Sequence, residues 1–216
     1  MHHHLGLGDH LTCNGLVNYL TKIFKKVHLP VKEKNFKSVA YLYNENLKVN
    51  LIKIPARNNL TGNFTSEDIW EISDYETAYI NNISNKMKVE ILTVGHERFS
   101  FPMPETFYKQ FNIPFSVSRD YFKVKYDAKK NYLLEQHLKD FYKIKDEYIL
   151  IHNTSSRSTY PLDKFKSLGS YKYILFEEKS DLYNNIFLYQ DVLKNAKEVH
   201  TINSSVFCLA DRLETS

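Results

Sequence analysis

Short apolar runs alternate with segments of helical spacing along most of the chain, and this alternation constrains the fold more than any other feature. A short apolar run bounded by turn residues is typical of a buried strand, and strands separated by helices form parallel sheets with right-handed crossovers. The expected strands are residues 2–5, 27–32, 47–54, 88–94, 148–152, 171–176 and 198–202. The sequence therefore predicts an α/β protein made of two Rossmann-like, doubly wound parallel-sheet units.

A charged connector at residues 143–147 marks the expected boundary between these units. The first unit would comprise residues 1–143 and the second residues 144–216. A chain of 216 residues with 43% hydrophobic and 25% charged residues is typical of a folded globular protein and can form two small cores. The second unit is short, and the chain stops soon after an expected helix at 204–213, so we keep open that this unit is truncated.

Charge and composition narrow the classes of partner. The net charge of +4 suits anionic ligands such as phosphates, but the lysines are scattered, so we expect no nucleic-acid partner. No apolar stretch reaches the roughly 20 residues that span a bilayer, and a signal-peptide pattern is absent, so we expect no transmembrane segment and a cytoplasmic location. No CxxC, HExxH or EF-hand pattern occurs, so we expect no metal site. Nothing in the pattern indicates an oligomeric state.

A glycine-rich turn, Gly6-Leu7-Gly8-Asp9, lies between the first expected strand and an amphipathic segment that starts at Leu11. Glycine tolerates positive φ angles and lets a ligand approach the backbone, and the amides of the following helix would face that ligand. The turn lacks the third glycine of the GxGxxG fingerprint and the Gly-Lys-Ser/Thr ending of a Walker A loop. Asp9 keeps two interpretations open: an N-cap for the helix, or a catalytic carboxylate.

Two later loops also follow expected strands and carry polar side chains. These side chains belong to Ser155, Ser156 and Arg157 in one loop and to Asn203, Ser204 and Ser205 in the other. Ligands of open parallel sheets bind beyond the carboxyl ends of the strands, so one phosphate-bearing ligand could contact these loops and the glycine-rich turn. Each residue also has an ordinary structural explanation, because serines cap helices and form turns and an arginine pairs with surface carboxylates.

Two segments carry a resemblance to a known family: HLGLGDHLTCNGLVNYL near the start and AKEVHTINSSVFCLADRL near the end. They resemble segments of the GT-B glycosyltransferases, in pattern the ADP-heptose:lipopolysaccharide heptosyltransferases. The resemblance implies a GT-B-like architecture in which residues 1–143 form the acceptor-side domain and residues 144–216 the donor-binding domain. It also implies that no cofactor or metal is needed, since the nucleotide-sugar is a substrate whose diphosphate is balanced by backbone amides and an arginine.

The same resemblance implies a role for each candidate residue. Asp9 would be the general base that takes the proton from the acceptor hydroxyl. The residues that would bind the donor and its phosphates are Gly6, Leu7, Gly8, Ser155, Ser156, Arg157, Asn203, Ser204 and Ser205. The residues expected on the acceptor side are His4, His10 and Asn14.

These observations predict a metal-independent glycosyltransferase that moves a sugar from a nucleotide-diphosphate donor to a glycan or lipid-linked acceptor, as in cell-surface polysaccharide biosynthesis. Two alternatives stay open. A non-catalytic module that binds a nucleotide or a sugar phosphate would have similar loops. A sugar-nucleotide epimerase would have the same architecture and would need no acceptor.

Overall fold

The protein, seen in a computed structural model, is described at residues 1–56, 66–95, 103–155, 159–165 and 171–213, with the backbone alone at 66–73 and 103. In these ranges it is a mixed α/β structure with two small parallel sheets. The helices are α1 Leu7–Thr12, α2 Asn14–Ile23, α3 Phe36–Leu42, α4 Ser66–Met87, α5 Met103–Lys109, α6 Val117–Asp120, α7 Ala128–Phe141, α8 Gln190–Lys194 and α9 Ser205–Arg212. The strands are β1 Val27–Lys32, β2 Val49–Ile54, β3 Tyr148–His152, β4 Lys172–Leu175 and β5 Glu198–Thr201.

The chain divides into two compact units, Met1–Tyr121 and Phe122–Ser216. This division lies before the boundary expected between residues 143 and 144, because α7 belongs to the second unit rather than to the first. Its buried Asn131 accepts hydrogen bonds from the start of α8, and its buried Glu135 accepts one from the Tyr148 hydroxyl of β3 at 3.3 Å. The sequence indicated the helix but not the sheet on which it packs.

The assigned sheet of the first unit consists of β1 and β2, which pair in parallel along their full length. The first residues of the chain lie beside β1, where the Met1 amine donates to the His28 carbonyl at 2.7 Å. On its other side, His2 forms an isolated parallel bridge with Thr93. The hydrogen bonds therefore place the segments in the order β2, β1, residues 1–2 and residues 92–94.

The strands expected at residues 2–5 and 88–94 are thus present only as that bridge. Pro30 explains part of the difference. It lies two positions after His28, on the same edge of β1, and has no N–H group with which to continue a ladder toward residues 1–5.

The glycine-rich turn has a different conformation from the one expected. Leu5, not a glycine, has the positive φ angle of 62°, and Gly6 is extended with φ −71°. Leu7 and Gly8 lie inside α1, which begins before the helix start expected at Leu11. Asn35 holds the turn by donating to the Leu5 carbonyl at 3.1 Å.

The second unit contains a three-stranded parallel sheet in the order β4-β3-β5. The central strand β3 is buried at every residue, whereas β5, at one edge, is half-buried throughout. The helix expected at 161–168 is represented in the described residues by a single 3-10 turn, Leu162–Lys164. No helix in the described ranges is both long enough and apolar enough to cross a bilayer.

Candidate functional site

The strand order of the second unit predicts a ligand crevice at one end of its sheet. The chain passes from β3 to β4 on one side and then crosses to β5 on the other side of β3. Open α/β sheets bind ligands outside the carboxyl ends of the strands where the order reverses in this way. The predicted crevice is therefore beyond the carboxyl ends of β3 and β5.

A hydrogen bond between side chains joins the two strand ends at this crevice. The Oγ of Ser204, just after β5, lies 3.0 Å from Nδ1 of His152, the last residue of β3. The same Oγ accepts the Phe207 backbone N–H at 3.3 Å, so Ser204 is the N-cap of α9. The predicted capping role of Ser204 is confirmed, and its hydroxyl has a second contact that the sequence did not indicate.

The protonation of His152 follows from its surroundings. Burial lowers the pKa of His152 to about 4, so the ring is neutral at pH 7. The Ser204 hydroxyl can either donate to His152 Nδ1 or accept from it while it accepts the Phe207 amide, so the contact fits both neutral tautomers. In the tautomer with its proton on Nε2, the imidazole can donate a hydrogen bond through that atom.

The other predicted donor-side residues differ in how far the structure describes them. Asn203 is exposed, and Ser205 is the first residue of α9, whose first-turn amides have no acceptor within the helix. Ser155 is half-buried in the loop after β3. Ser156 and Arg157 lie outside the described residues.

The loop that follows β3 is held at its base. The side chain of Asn153 donates to the Tyr160 carbonyl at 2.8 Å, and the Tyr160 amide donates back to the Asn153 carbonyl at 2.7 Å. Thr154 and Thr159 form an antiparallel bridge above this pair. These bonds fix where the loop leaves the carboxyl edge of the sheet.

In the first unit, Asp9 lies at the corresponding edge of its sheet. Its Oδ2 accepts the Gly6 backbone N–H at 3.1 Å, so the carboxylate caps the start of α1 from its third position. A Cβ atom added at Gly6 would lie 2.6 Å from that oxygen, so a larger residue there would displace the Asp9 carboxylate. The N-cap of α1 is thus Gly6 and not Asp9 as expected, although Asp9 does stabilise the start of the helix; its catalytic role stays a prediction.

The surroundings of Asp9 shift the pKa of its carboxyl group. Burial raises its pKa, while the positive charges of His4 and Lys32 and the Gly6 hydrogen bond oppose the increase. Carboxyl groups with raised pKa values beside specific charged partners are concentrated at functional sites, although structural ion-pair networks also produce them.

Lys32, the last residue of β1, connects this edge to α4. Its Nζ lies 2.8 Å from the carboxylate of Glu76, and both side chains are partly exposed. Lys32 is thus a cation that already has one carboxylate partner and also influences Asp9. His4 is exposed, and its Nε2 contacts the Gly95 carbonyl.

Two of the predicted acceptor-side residues lie in the core of the first unit. His10 and Asn14 are completely buried, so neither presents an atom to an acceptor. His10 packs edge-on against the buried His3 ring, with ring centroids 4.3 Å apart, and neither of its ring nitrogens has a hydrogen-bond partner among the described residues. Both residues follow Asp9 on helical faces that point into the core.

Sequence reasoning missed His152, Lys32 and Glu76. His152 and Lys32 could have been found, because each is the polar last residue of an expected strand and the carboxyl edge is where ligands bind. Glu76 could not, because its position beside Lys32 depends on how α4 packs. Among the described side chains, no group of three or more His, Cys, Asp or Glu is arranged to hold a metal ion.

Comparisons with models of protein families, with curated proteins and with solved structures find no match to this chain.

Proposed function

We propose that the protein is a GT-B-like glycosyltransferase built from two Rossmann-like units, acting in the cytoplasm on a nucleotide-diphosphate sugar. In this proposal the second unit binds the donor, and the first unit supplies Asp9 as the general base for the hydroxyl of a glycan or lipid-linked acceptor. No step of the proposal requires a metal, because helix amides and cationic or hydrogen-bonding side chains neutralise the leaving diphosphate.

The observation that carries the proposal is the hydrogen bond between His152 and Ser204 at the strand-order reversal. It brings the ends of two neighbouring parallel strands and the start of α9 together around one polar crevice. The amides of the first turn of α9 are donors suited to phosphate oxygens, and so is His152 in the tautomer with its proton on Nε2. A diphosphate is the ligand that best matches this set of donors.

Support for Asp9 as the base is its position and its burial. It lies at the carboxyl edge of the first unit, and burial raises its pKa, which makes the carboxylate a stronger base. The opposing charges of His4 and Lys32 favour its ionised form, which is the form that a base requires.

A second candidate function is a module that binds a nucleotide or a sugar phosphate without catalysis. It is favoured by one observation: Asp9 already has a structural partner in the Gly6 amide, which is sufficient to explain its presence. A sugar-nucleotide epimerase is a third candidate that needs the same donor crevice.

The experiment is an assay of nucleotide-diphosphate release from UDP-, GDP-, ADP- and CDP-sugars, with water as the minimal acceptor, for the full chain and for Asp9→Asn. We expect release from one class of donor, and a rate about 10² to 10⁴ lower in Asp9→Asn with donor affinity retained. The matched control is Asp120→Asn, which alters an exposed carboxylate of the same unit and should leave the rate unchanged.

Other results of this assay would each count against Asp9 as the base or favour one of the alternative functions. A wild-type rate in Asp9→Asn would eliminate Asp9 as the base. Binding of a nucleotide without turnover of any donor would favour the binding module. Conversion of the donor sugar to its epimer without release of the diphosphate would favour the epimerase.

A further inference from the structure

A cavity of about 570 Å³ lies in the first unit, between the sheet and the carboxyl-terminal half of α4. Its walls are mainly apolar and come from α2, both strands, α4 and the segment before Thr93. The apolar wall residues include Leu20, Val27, Ile52, Ile80, Ile83 and Ile91. Ligand pockets of folded proteins commonly have this size and this apolar character.

The cavity is separate from the edge that carries Asp9. Val27 and His28, at the start of β1, line the cavity, whereas Lys32, which influences Asp9, ends the same strand. The lining reaches along β1 as far as Pro30 and includes neither Lys32 nor Asp9. The inference is therefore independent of the function proposed above.

Apolar surface remains exposed at the opening of the cavity. Phe24 at the end of α2 is 53% exposed and Met87 at the end of α4 is 38% exposed, and both line the cavity. A single large apolar side chain on the surface is common. Here two of them lie at the rim of an apolar cavity and enlarge the apolar surface that a ligand could cover.

The rim is positively charged. Lys25 and Lys26 both line the cavity, and neither forms an ion pair with any residue in the described part of the chain. Glu90 is the acidic residue of the lining. Burial, followed by the charge of Lys26, lowers the pKa of His28, which therefore contributes little positive charge at neutral pH.

We propose that this cavity binds a single-chain fatty carboxylate, with its alkyl chain against the apolar walls and its carboxylate at Lys25 and Lys26. The apolar walls select an alkyl chain, and the two lysines at the opening select an anionic head group over a neutral or cationic one. The cavity volume limits the ligand to one chain.

The test is calorimetric titration of the full chain with octanoate, decanoate and dodecanoate below their micellar concentrations. Burial of each added methylene should lower Kd about fourfold until the cavity is filled. Decanoate should bind more tightly than decyltrimethylammonium, which has the same chain and the opposite charge.

Four variants locate the site. Ile83→Trp should fill the cavity and abolish decanoate binding, whereas Asn82→Trp, at an exposed neighbour on α4, should not. The double variant Lys25→Ala/Lys26→Ala should weaken decanoate binding at least tenfold and leave 1-decanol binding unchanged. Lys22→Ala removes an exposed lysine outside the lining and is the matched control for charge.

Three results would overturn the proposal: no saturable binding to the wild type, equal affinity for decanoate and decyltrimethylammonium, or unchanged decanoate binding in the double lysine variant. If Ile83→Trp does not fold, the exposed lysine pair still decides the question. A concentration-dependent dimer that buries this face and excludes decanoate would assign the cavity to a second copy of the chain instead.

Discussion

At the scale of single residues, Asp9 makes a hydrogen bond that stabilises the fold, but the burial of its charge destabilises it. Its carboxylate accepts the Gly6 amide, yet burial raises its pKa, which means that the folded state disfavours its charged form. An amide at this position would keep the hydrogen bond without the charge. Asp9 is therefore a position where stability and the proposed activity make opposite demands.

We predict that Asp9→Asn raises the melting temperature at pH 8 while it lowers the rate of sugar transfer. A carboxyl group whose pKa is raised on folding loses stability as pH increases from 3.8 through the folded pKa, and Asn lacks this titration. The two proteins should converge in stability toward pH 3. Thermal unfolding from pH 3 to 8 measures the difference, and a melting temperature that falls in the variant at pH 8 would show that Asp9 is needed mainly as a cap.

His10 makes the first unit sensitive to acid. Burial, and to a smaller degree the charge of Lys32, lowers the pKa of His10 from 6.5 to about 3, and His3 beside it is shifted in the same direction. The unfolded chain therefore binds more protons than the folded one between these pKa values. The free energy of unfolding should fall as pH decreases from 6.5, by up to about 1.4 kcal/mol per pH unit for His10 alone.

We predict that His10→Leu makes this dependence shallower by about that slope. Urea unfolding at pH 7, 6 and 5 measures it. His137→Leu, which alters a half-exposed histidine of the second unit, is the control and should retain the wild-type slope. An unchanged slope in His10→Leu would mean that His10 is already protonated in the folded protein or is exposed to water.

At the scale of elements, the short helix α8 depends on a side chain of α7. The buried Asn131 accepts the backbone N–H of Gln190 at 3.0 Å and that of Asp191 at 3.4 Å, so it caps the start of α8 from another helix. Its amide group is held in turn by the Asp127 carbonyl at 3.0 Å. A five-residue helix has few bonds of its own, and this contact fixes where it begins.

We predict that Asn131→Leu lowers the free energy of unfolding by about 1–3 kcal/mol or more, because buried amides lose their acceptor. Tyr132→Leu, at a 58% exposed neighbour, should change it by less than about 0.5 kcal/mol. Denaturant unfolding measures both. Equal effects of the two substitutions would contradict the capping role of Asn131.

The elements that the sequence predicted well are those whose pattern is local. The strands β1 and β3 have the expected bounds, because each is a short apolar run ended by a polar residue or a turn. Ser204 was recognised as a cap for the same reason. The His152 contact with Ser204 joins residues 52 positions apart, and the attachment of α7 to the second unit depends on Asn131 and Glu135; neither is visible in a local pattern.

The glycine-rich turn shows a different limit of sequence reasoning. Two glycines suggested positive φ angles, but the residue with a positive φ angle is Leu5, and Gly6 is extended next to the Asp9 carboxylate. For His10 and Asn14, closeness to Asp9 along the chain did not reveal that their side chains are buried, and their acceptor-side roles stay predictions.

At the scale of the whole molecule, the two units each place polar residues at the carboxyl edge of a parallel sheet. The second unit brings together His152, Ser204 and the first turn of α9, and the first unit holds a perturbed carboxyl group at Asp9. The central proposal is that the crevice of the second unit binds a nucleotide diphosphate.

Calorimetric titration of the full chain with UDP, GDP, ADP and CDP tests that claim most directly, when it is repeated on Ser205→Glu and Ala128→Glu. Each substitution adds one carboxylate at the first position of a helix, α9 in one case and α7 in the other, where a negative charge is favourable for folding. We predict that one nucleotide binds to the wild type, that its Kd rises at least tenfold in Ser205→Glu, and that Ala128→Glu binds like the wild type. Absence of binding by all four nucleotides, or wild-type affinity in Ser205→Glu, would contradict the account.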